Sequence, residues 1–312
     1  MKNIRFLIIC LLATFRLAAQ QEHQYTQFMY NKLNVNPAYA GTRGVPTMTG
    51  IFRSQWIGFD GAPQSFLLSG HSPFLSKRVG VGVNLSQRKI GLNRDFNGSL
   101  AYSYDLVLRK DMSLRVGLSG SVRTQGIAFS EAKPGATGDP SLDIVNTNEI
   151  LGNVGAGVYA TFSEKVYVGL SVPRIYTNRI GFNPSLQQVA EESVHYYAMA
   201  GLILPIGDGV NLMPAVLAKY VKNAPFDADI NLNLDIRQKF TTGISYRMGG
   251  DGAGDSVDLL AYWQASPQMG VGIAYDFPLS KIKNYTAGSV EAVVQADLKK
   301  KKKGMSNPRF FM

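Results

Sequence analysis

From residue 47 to residue 298 the chain returns repeatedly to one pattern, in which strongly apolar and strongly polar side chains take turns. In residues 229–237, Ile230, Leu232, Leu234 and Ile236 alternate with Asp229, Asn231, Asn233, Asp235 and Arg237. Successive side chains of a strand point to opposite faces, so this stretch is a ribbon with one aliphatic and one charged face. Leu114, Val116, Leu118 and Val122 stand in the same relation to Ser113, Arg115, Gly117, Ser119, Ser121 and Arg123. Phe96, Leu100, Tyr102, Tyr104 and Leu106 likewise oppose Asn97, Ser99, Ala101, Ser103 and Asp105. A sheet that turns an aliphatic face to hydrocarbon must pair every backbone amide, and closure into a barrel leaves no free edge. The pattern therefore predicts an all-β antiparallel transmembrane barrel, apolar outside and polar inside.

Fourteen segments carry the pattern, near residues 47–56, 64–72, 78–88, 96–108, 112–126, 152–163, 165–174, 194–204, 209–221, 228–237, 239–247, 255–265, 269–278 and 288–298. The number is even and most lengths are close to the roughly nine to eleven residues that cross a bilayer as a tilted strand. Trp56, Tyr220, Phe240, Tyr246, Trp263 and Phe277 fall near segment ends, where an aromatic girdle belongs. Read from these bounds, every odd-numbered connection is longer than both its neighbours. Bacterial outer-membrane barrels have short periplasmic turns and longer external loops. The two longest connections, 127–151 and 175–193, are thereby expected at the cell surface, and both chain ends in the periplasm.

Before the first strand come two further segments. Lys2 and Arg5 precede the apolar run of residues 6–13, and Leu17-Ala18-Ala19-Gln20 supplies small residues for cleavage. This is the form of a secretory signal peptide over residues 1–19, too short for the roughly 20 apolar residues of a spanning helix. Residues 20–46 are polar and aromatic with no strand period. Fourteen strands enclose more space than wall side chains fill, so these residues are the nearest available plug. Residues 299–312 form a basic tail beyond the last strand.

The formal charge of +10 belongs to the ends. Lys2, Arg5 and Arg16 account for three charges, and Lys299–Lys303 with Arg309 for six, leaving the body at +1. A nucleic-acid binder spreads positive charge over a folded face, so nucleic acid is not an expected partner. Cys10 is the sole cysteine and the three histidines are scattered, which argues against disulfides, metal sites and cofactors. Gly155-Ala156-Gly157 fits a loose dinucleotide pattern but sits inside an alternating segment, where barrel packing explains it. Asp251, Asp255 and Asp258, like Asp139 and Asp143, lack calcium-loop spacing. With no nucleophile elbow present either, the chain is not expected to be an enzyme.

Arg53, Arg115, Arg123, Asp229, Asp235, Arg237 and Arg247, with Asp105 and Asp258, fall on the inward register. They are expected to line the lumen, either as paired groups in a closed interior or as the walls of a pore for small solutes.

The element Asn36-Pro37-Ala38-Tyr39-Ala40-Gly41, followed by Arg53-Ser54-Gln55-Trp56-Ile57-Gly58-Phe59-Asp60-Gly61-Ala62-Pro63, resembles the PorP/SprF family of Bacteroidota outer-membrane proteins. Lys89-Ile90-Gly91, Ala101-Tyr102-Ser103-Tyr104, Gly138-Asp139-Pro140, Tyr275-Asp276-Phe277, Gly288-Ser289-Val290-Glu291 and Asn307-Pro308-Arg309-Phe310-Phe311 are similar to it as well, so the resemblance covers nearly the whole chain after the leader. It implies a part in the type IX secretion and gliding apparatus, in export or surface attachment of large adhesins that carry a C-terminal targeting domain, and links to periplasmic and outer-membrane components of that machine. Trp56, Phe59 and Asp60 at the rim after the first strand, and Arg309, Phe310 and Phe311 in the tail, are the expected partner-binding residues, alongside outer-membrane lipid. Asn36, Pro37 and Gly41 are expected to fix the chain where it enters the barrel.

Overall fold

The structure is a computed structural model that describes residues 24–109, 111–128, 147–180, 190–222, 224–249 and 256–298. Fourteen antiparallel strands follow one another around a closed barrel. They are β1 (Thr47–Ser54), β2 (Gln64–Phe74), β3 (Ser76–Ile90), β4 (Asn93–Asp105), β5 (Met112–Ile127), β6 (Thr147–Phe162), β7 (Val166–Val172), β8 (His195–Leu202 with Leu204–Gly207), β9 (Val210–Val221), β10 (Asp227–Ile236), β11 (Phe240–Met248), β12 (Ser256–Trp263), β13 (Met269–Pro278) and β14 (Ser289–Asp297). Both pieces of β8 pair with β9, one on each side of Ile203, so they act as one strand. Closure comes from β1 against β14, in register from Thr47↔Asp297 to Ser54↔Val290. A two-residue hairpin, Arg179–Ile180 with Ala190–Glu191, stands apart from the wall.

Each alternating segment of the sequence coincides with one strand. On β5, Leu118 is 64% exposed and Arg115 only 6%, which separates the lipid face from the lumen face. No helix among the described residues is long and apolar enough to cross a membrane.

The connections define two ends. Those after β1, β3, β5, β7, β9, β11 and β13 make up the loop end. The others, with the start of β1 and the finish of β14, make up the turn end. The expected alternation of connection lengths fails once. After β3 only Gly91 and Leu92 separate the strands, fewer than the residues between β4 and β5. Here the extra residues have lengthened the wall. β3, β4, β5 and β6 run 15, 13, 16 and 16 residues, against 7 for β7 and 8 for β1. Gly91 turns the chain at φ +54°, in the left-handed region that a tight turn needs. The same lengthening takes residues 147–151, expected in the long loop, into β6.

Residues 24–46 lie in the lumen as three short 3-10 turns, Phe28–Tyr30, Lys32–Asn34 and Pro37–Tyr39. Phe28, Met29, Leu33, Ala38 and Tyr39 form one apolar cluster with wall residues from around the barrel, among them Ile51, Leu67, Tyr159, Met199, Leu217, Tyr262 and Val293. The segment thus makes the core that a hollow cylinder lacks.

Candidate functional site

The lumen is layered, and the charged layer lies near the loop end. Arg53 on β1 donates to Thr26 Oγ1 at 2.9 Å and pairs with Glu291 at 3.1 Å and with Asp276. Arg247 on β11 donates to Asp229 Oδ1 at 2.7 Å and to Thr26 Oγ1 at 3.2 Å. The Thr26 hydroxyl in turn donates a hydrogen bond to Asp276 Oδ1 at 3.1 Å. Glu291 accepts both the Thr26 and the Gln27 backbone N–H, at 2.9 and 2.8 Å. Lys219 pairs with Asp227 at 2.9 Å. Asp258 is wholly buried in the same layer. A buried charge is tolerable only when partnered, and here the plug backbone supplies part of the partnership.

At the turn end Arg43 clamps Asp297 with both Nη2 contacts at 3.1 Å and Nε at 3.2 Å. Ala40 O accepts from Ser103 at 2.7 Å and from Arg115 at 3.2 Å, while Arg115 also pairs with Asp105 at 3.1 Å. Between the two layers Lys32 donates to Met29 O at 2.9 Å and lies 4.7 Å from the Tyr167 ring centre and 5.3 Å from that of Tyr39. Cation–π contacts of this kind strengthen away from water.

Against β3–β7 the plug is held differently. An added Cβ at Gly117 would stand 2.3 Å from Ala38 N, at Gly80 2.1 Å from Ala40 O, and at Gly157 2.2 Å from Asn36 Oδ1. Gly80 and Gly117 let the plug backbone lie against the wall, and Gly157 makes room for the Asn36 side chain. Asn36 caps its own turn by accepting from Ala38 N at 3.0 Å, with Pro37 at the first helical position. Its amide donates to Val158 O at 2.9 Å. Asn36 and Pro37 are therefore deep in the lumen, not where the chain meets β1, because their partners are glycine-lined mid-wall positions. Gly41, at φ +75° and with its missing Cβ 2.7 Å from Gly80 Cα, is the one that permits the final bend.

Above the plug on this side is a hollow of about 140 Å3, with Leu33, Val35 and Pro37 as floor and Ser65, Ser99, Ser119 and Ser121 among its walls. Glu192 at its mouth takes Arg123 at 3.0 Å, Arg174 at 3.2 Å and Asn178 at 2.9 Å. Burial pushes the Glu192 carboxyl up, but Arg174, Asn178 and Arg123 outweigh it and hold the group below its usual range. Arg123 also pairs with Asp95 at 3.1 Å.

Of the expected lumen charges, Arg53, Arg115, Arg123, Asp229, Asp235 and Arg247 line the interior. Arg237 does not. β10 ends at Ile236, and Arg237 turns out of the wall at φ +53° in the hairpin to β11, exposed. Trp56, Phe59 and Asp60 come together in the connection after β1. Its Ile57 exchanges backbone bonds of 2.8 Å with Gly288 and Ala287, so this rim leans on the connection before β14. Arg309, Phe310 and Phe311 lie outside the described residues, as do Asp139, Asp143, Asp251 and Asp255. Glu291, Asp276 and Asp297 were missed as site residues, although alternation already puts Glu291 and Asp297 on the inward face of β14. Lys32 and Arg43 carried no periodic signal. Among the described residues no group of three or more His, Cys, Asp or Glu is placed to hold a metal ion.

A model of the family described as type IX secretion system membrane protein PorP/SprF matches residues 17–295. Among solved structures, the Ralstonia pickettii toluene transporter TbuX is similar at a TM-score of 0.50 and 11% identity, over 88% of this chain and 94% of its own. The Acinetobacter baumannii outer membrane protein Omp33 is similar at 0.49 and 10% identity, over 81% and 97%. At such identity the likeness is one of fold. No curated protein sequence matches.

Proposed function

This chain belongs to the PorP/SprF family of type IX secretion system membrane proteins, and from that premise we propose that it anchors or passes a secreted adhesin with a C-terminal targeting domain, without being an enzyme. The barrel resides in the outer membrane. In this reading the leader is removed after Ala19 and the loop end faces outward. The client meets the connections around 127–151 and 175–193 and the rim of Trp56, Phe59 and Asp60. Asp297 ends β14 at the turn end, so the tail from Lys299 to Phe311 lies in the periplasm, where its lysines and aromatic terminus dock an acidic component of the machine.

The observation that carries this reading, beside the family, is a lumen filled by the chain's own residues 24–46 and tied at both layers. A filled barrel suits a platform. Deleting the gene should remove the client adhesin from the surface, and unchanged surface levels would overturn the proposal. Cutting off residues 299–312 should leave insertion intact and weaken co-purification with the periplasmic partner, and unaffected co-purification would refute this role of the tail.

The second reading, a pore for small solutes, takes its support from the charged lumen and from a fold shared with a toluene transporter. Single-channel recording separates the two. Electrical silence of the purified barrel favours the platform, steady conductance the pore.

A further inference from the structure

The hollow above the plug is neither neutral nor saturated. Arg88, Arg123 and Arg174 line it against two carboxylates, Asp95 and Glu192, which leaves one positive charge over. The other titratable groups of its lining are Tyr25, Tyr197 and His195. Hydrogen-bond donors are left open on the arginines. Arg88 directs Nε at Asp95 at 2.8 Å and Nη2 at the same carboxylate oxygen, which leaves Nη1. Arg123 directs Nη1 at Glu192 at 3.0 Å and Nη2 at Asp95 at 3.1 Å, which leaves Nε. Acceptors are left open as well. His195 Nδ1 lies 2.9 Å from Ser193 O, and a carbonyl only accepts, so in the neutral ring the proton sits on Nδ1 and Nε2 is an acceptor. That nitrogen and Asn97 Oδ1 are buried without a partner.

Buried polar groups are normally paired, so a lining that keeps open atoms of both kinds fits a ligand that brings both. A carboxylate answers the surplus charge and the open guanidinium N–H groups. Backbone N–H groups answer the open acceptors, and the hydroxyls of Ser86, Ser119 and Ser121 bond a backbone of any sequence. The volume of about 140 Å3 admits on the order of ten waters, or a short stretch of extended peptide in their place. The way in is from the loop end. Arg88, Asp95 and Arg123 lie within four residues of the loop ends of their strands, and Arg174 and Glu192 lie in the connection from β7 to β8. Below, Leu33 of the plug closes the floor at 2% exposure.

We propose that this hollow is a binding site for a peptide carboxylate, either a chain terminus or an acidic side chain on a short extended segment. Arg88 and Arg123 take the carboxylate, and Asn97 and His195 take backbone N–H groups. That the peptide belongs to the secreted client rests on the platform reading; the binding itself does not.

Calorimetric titration of the purified barrel in detergent tests it with three synthetic probes: acetyl-triglycine with a free carboxylate, acetyl-triglycine amide, and an acetyl-glycyl-aspartyl-glycine amide. At least one of the two acids should bind about tenfold more tightly than the uncharged amide, the loss expected for a charge-assisted hydrogen bond. The tighter of the two identifies the source as chain terminus or side chain. Equal binding of all three, or binding of none, overturns the proposal. Two variants then move the charge in opposite directions. Arg88→Gln should weaken the acid about tenfold, and Asp95→Asn, which leaves a second positive charge over, should tighten it severalfold. Weakening by both alike would mark these residues as structural and overturn the assignment. Retention of the folded, heat-modifiable band on gels verifies that each variant is a closed barrel, and the comparison of probes on the unaltered barrel stands without either. Loss of the adhesin on gene deletion with no peptide bound would sink the site and leave the platform standing.

Discussion

The two halves of the wall grip the same plug by opposite means. Along β10–β14 and β1 the grip is ionic: Glu291, Asp276 and Asp229, with Arg53 and Arg247, converge on Thr26 and its neighbours. Along β3–β7 it is steric: the plug backbone rests on Gly80 and Gly117, and the Asn36 side chain on Gly157, with no room for a methyl group. The difference follows from what each contact costs. A buried ion network is strong only while complete. Backbone resting on glycine needs no desolvated charge, but forbids any side chain at those positions. Specificity of seating resides in the first half and closeness of fit in the second.

The contrast can be broken on either side, most severely through the ions. Glu291→Ala strips the acceptor from two plug amides and leaves Arg53 with an incomplete shell, at a cost of about 3–5 kcal/mol. The midpoint of heat-modifiable gel migration should fall accordingly. A loss below about 1 kcal/mol would mean that the ionic half is not a clamp. Gly117→Ala comes next, at about 1–3 kcal/mol of overpacking, because the obstructing atoms are backbone and cannot turn aside. In a bilayer it should also add brief conducting openings as the plug lifts from the wall.

Smaller still is the Glu192 latch. Its carboxyl titrates below its ordinary 4.5 in the folded chain, so its contribution is complete above that value and fades as acid protonates the folded form. Hydrogen exchange at the Glu192 and Ile175 amides, corrected for intrinsic rate, should stay slow from neutral pH down to about 4.5 and quicken below it. Glu192→Gln should imitate the acid state at pH 7. Quickening already near neutral pH would assign the latch elsewhere. Least of all is Gly120→Ala. No atom stands within 4 Å of the added methyl, and the effect should stay within about 0.5 kcal/mol. Equal damage from Gly120→Ala and Gly117→Ala would erase the steric half of the contrast.

The barrel was legible because lipid imposes period two on every strand, and that demand is local. Arg237 shows its limit. Alternation has no means of announcing its own end, and the charge after Ile236 belonged to the hairpin. The tall wall was hidden for a related reason. Residues 89–90, 93–95 and 147–151 read as loop because outside the bilayer a strand need not be apolar, while pairing alone extended it. The seating of the plug was illegible in principle, since Thr26 finds Glu291 across 265 residues and alternation, which puts Glu291 on the inward face, names no partner for it. Gly80, Gly117 and Gly157 looked like the glycines of any barrel. Only the facing segment gives them meaning.

The strand pair that completes the cylinder, β1 with β14, is also where the thread is tied, at one extremity by Glu291 to Thr26 and Gln27 and at the other by Asp297 to Arg43. Both knots wait for the last strand to be synthesised. A polypeptide cut short before residue 289 would forfeit circumference and stuffing together, leaving no half-built product stable enough to linger in the envelope. Completion of the chain is thereby its own proofreading step.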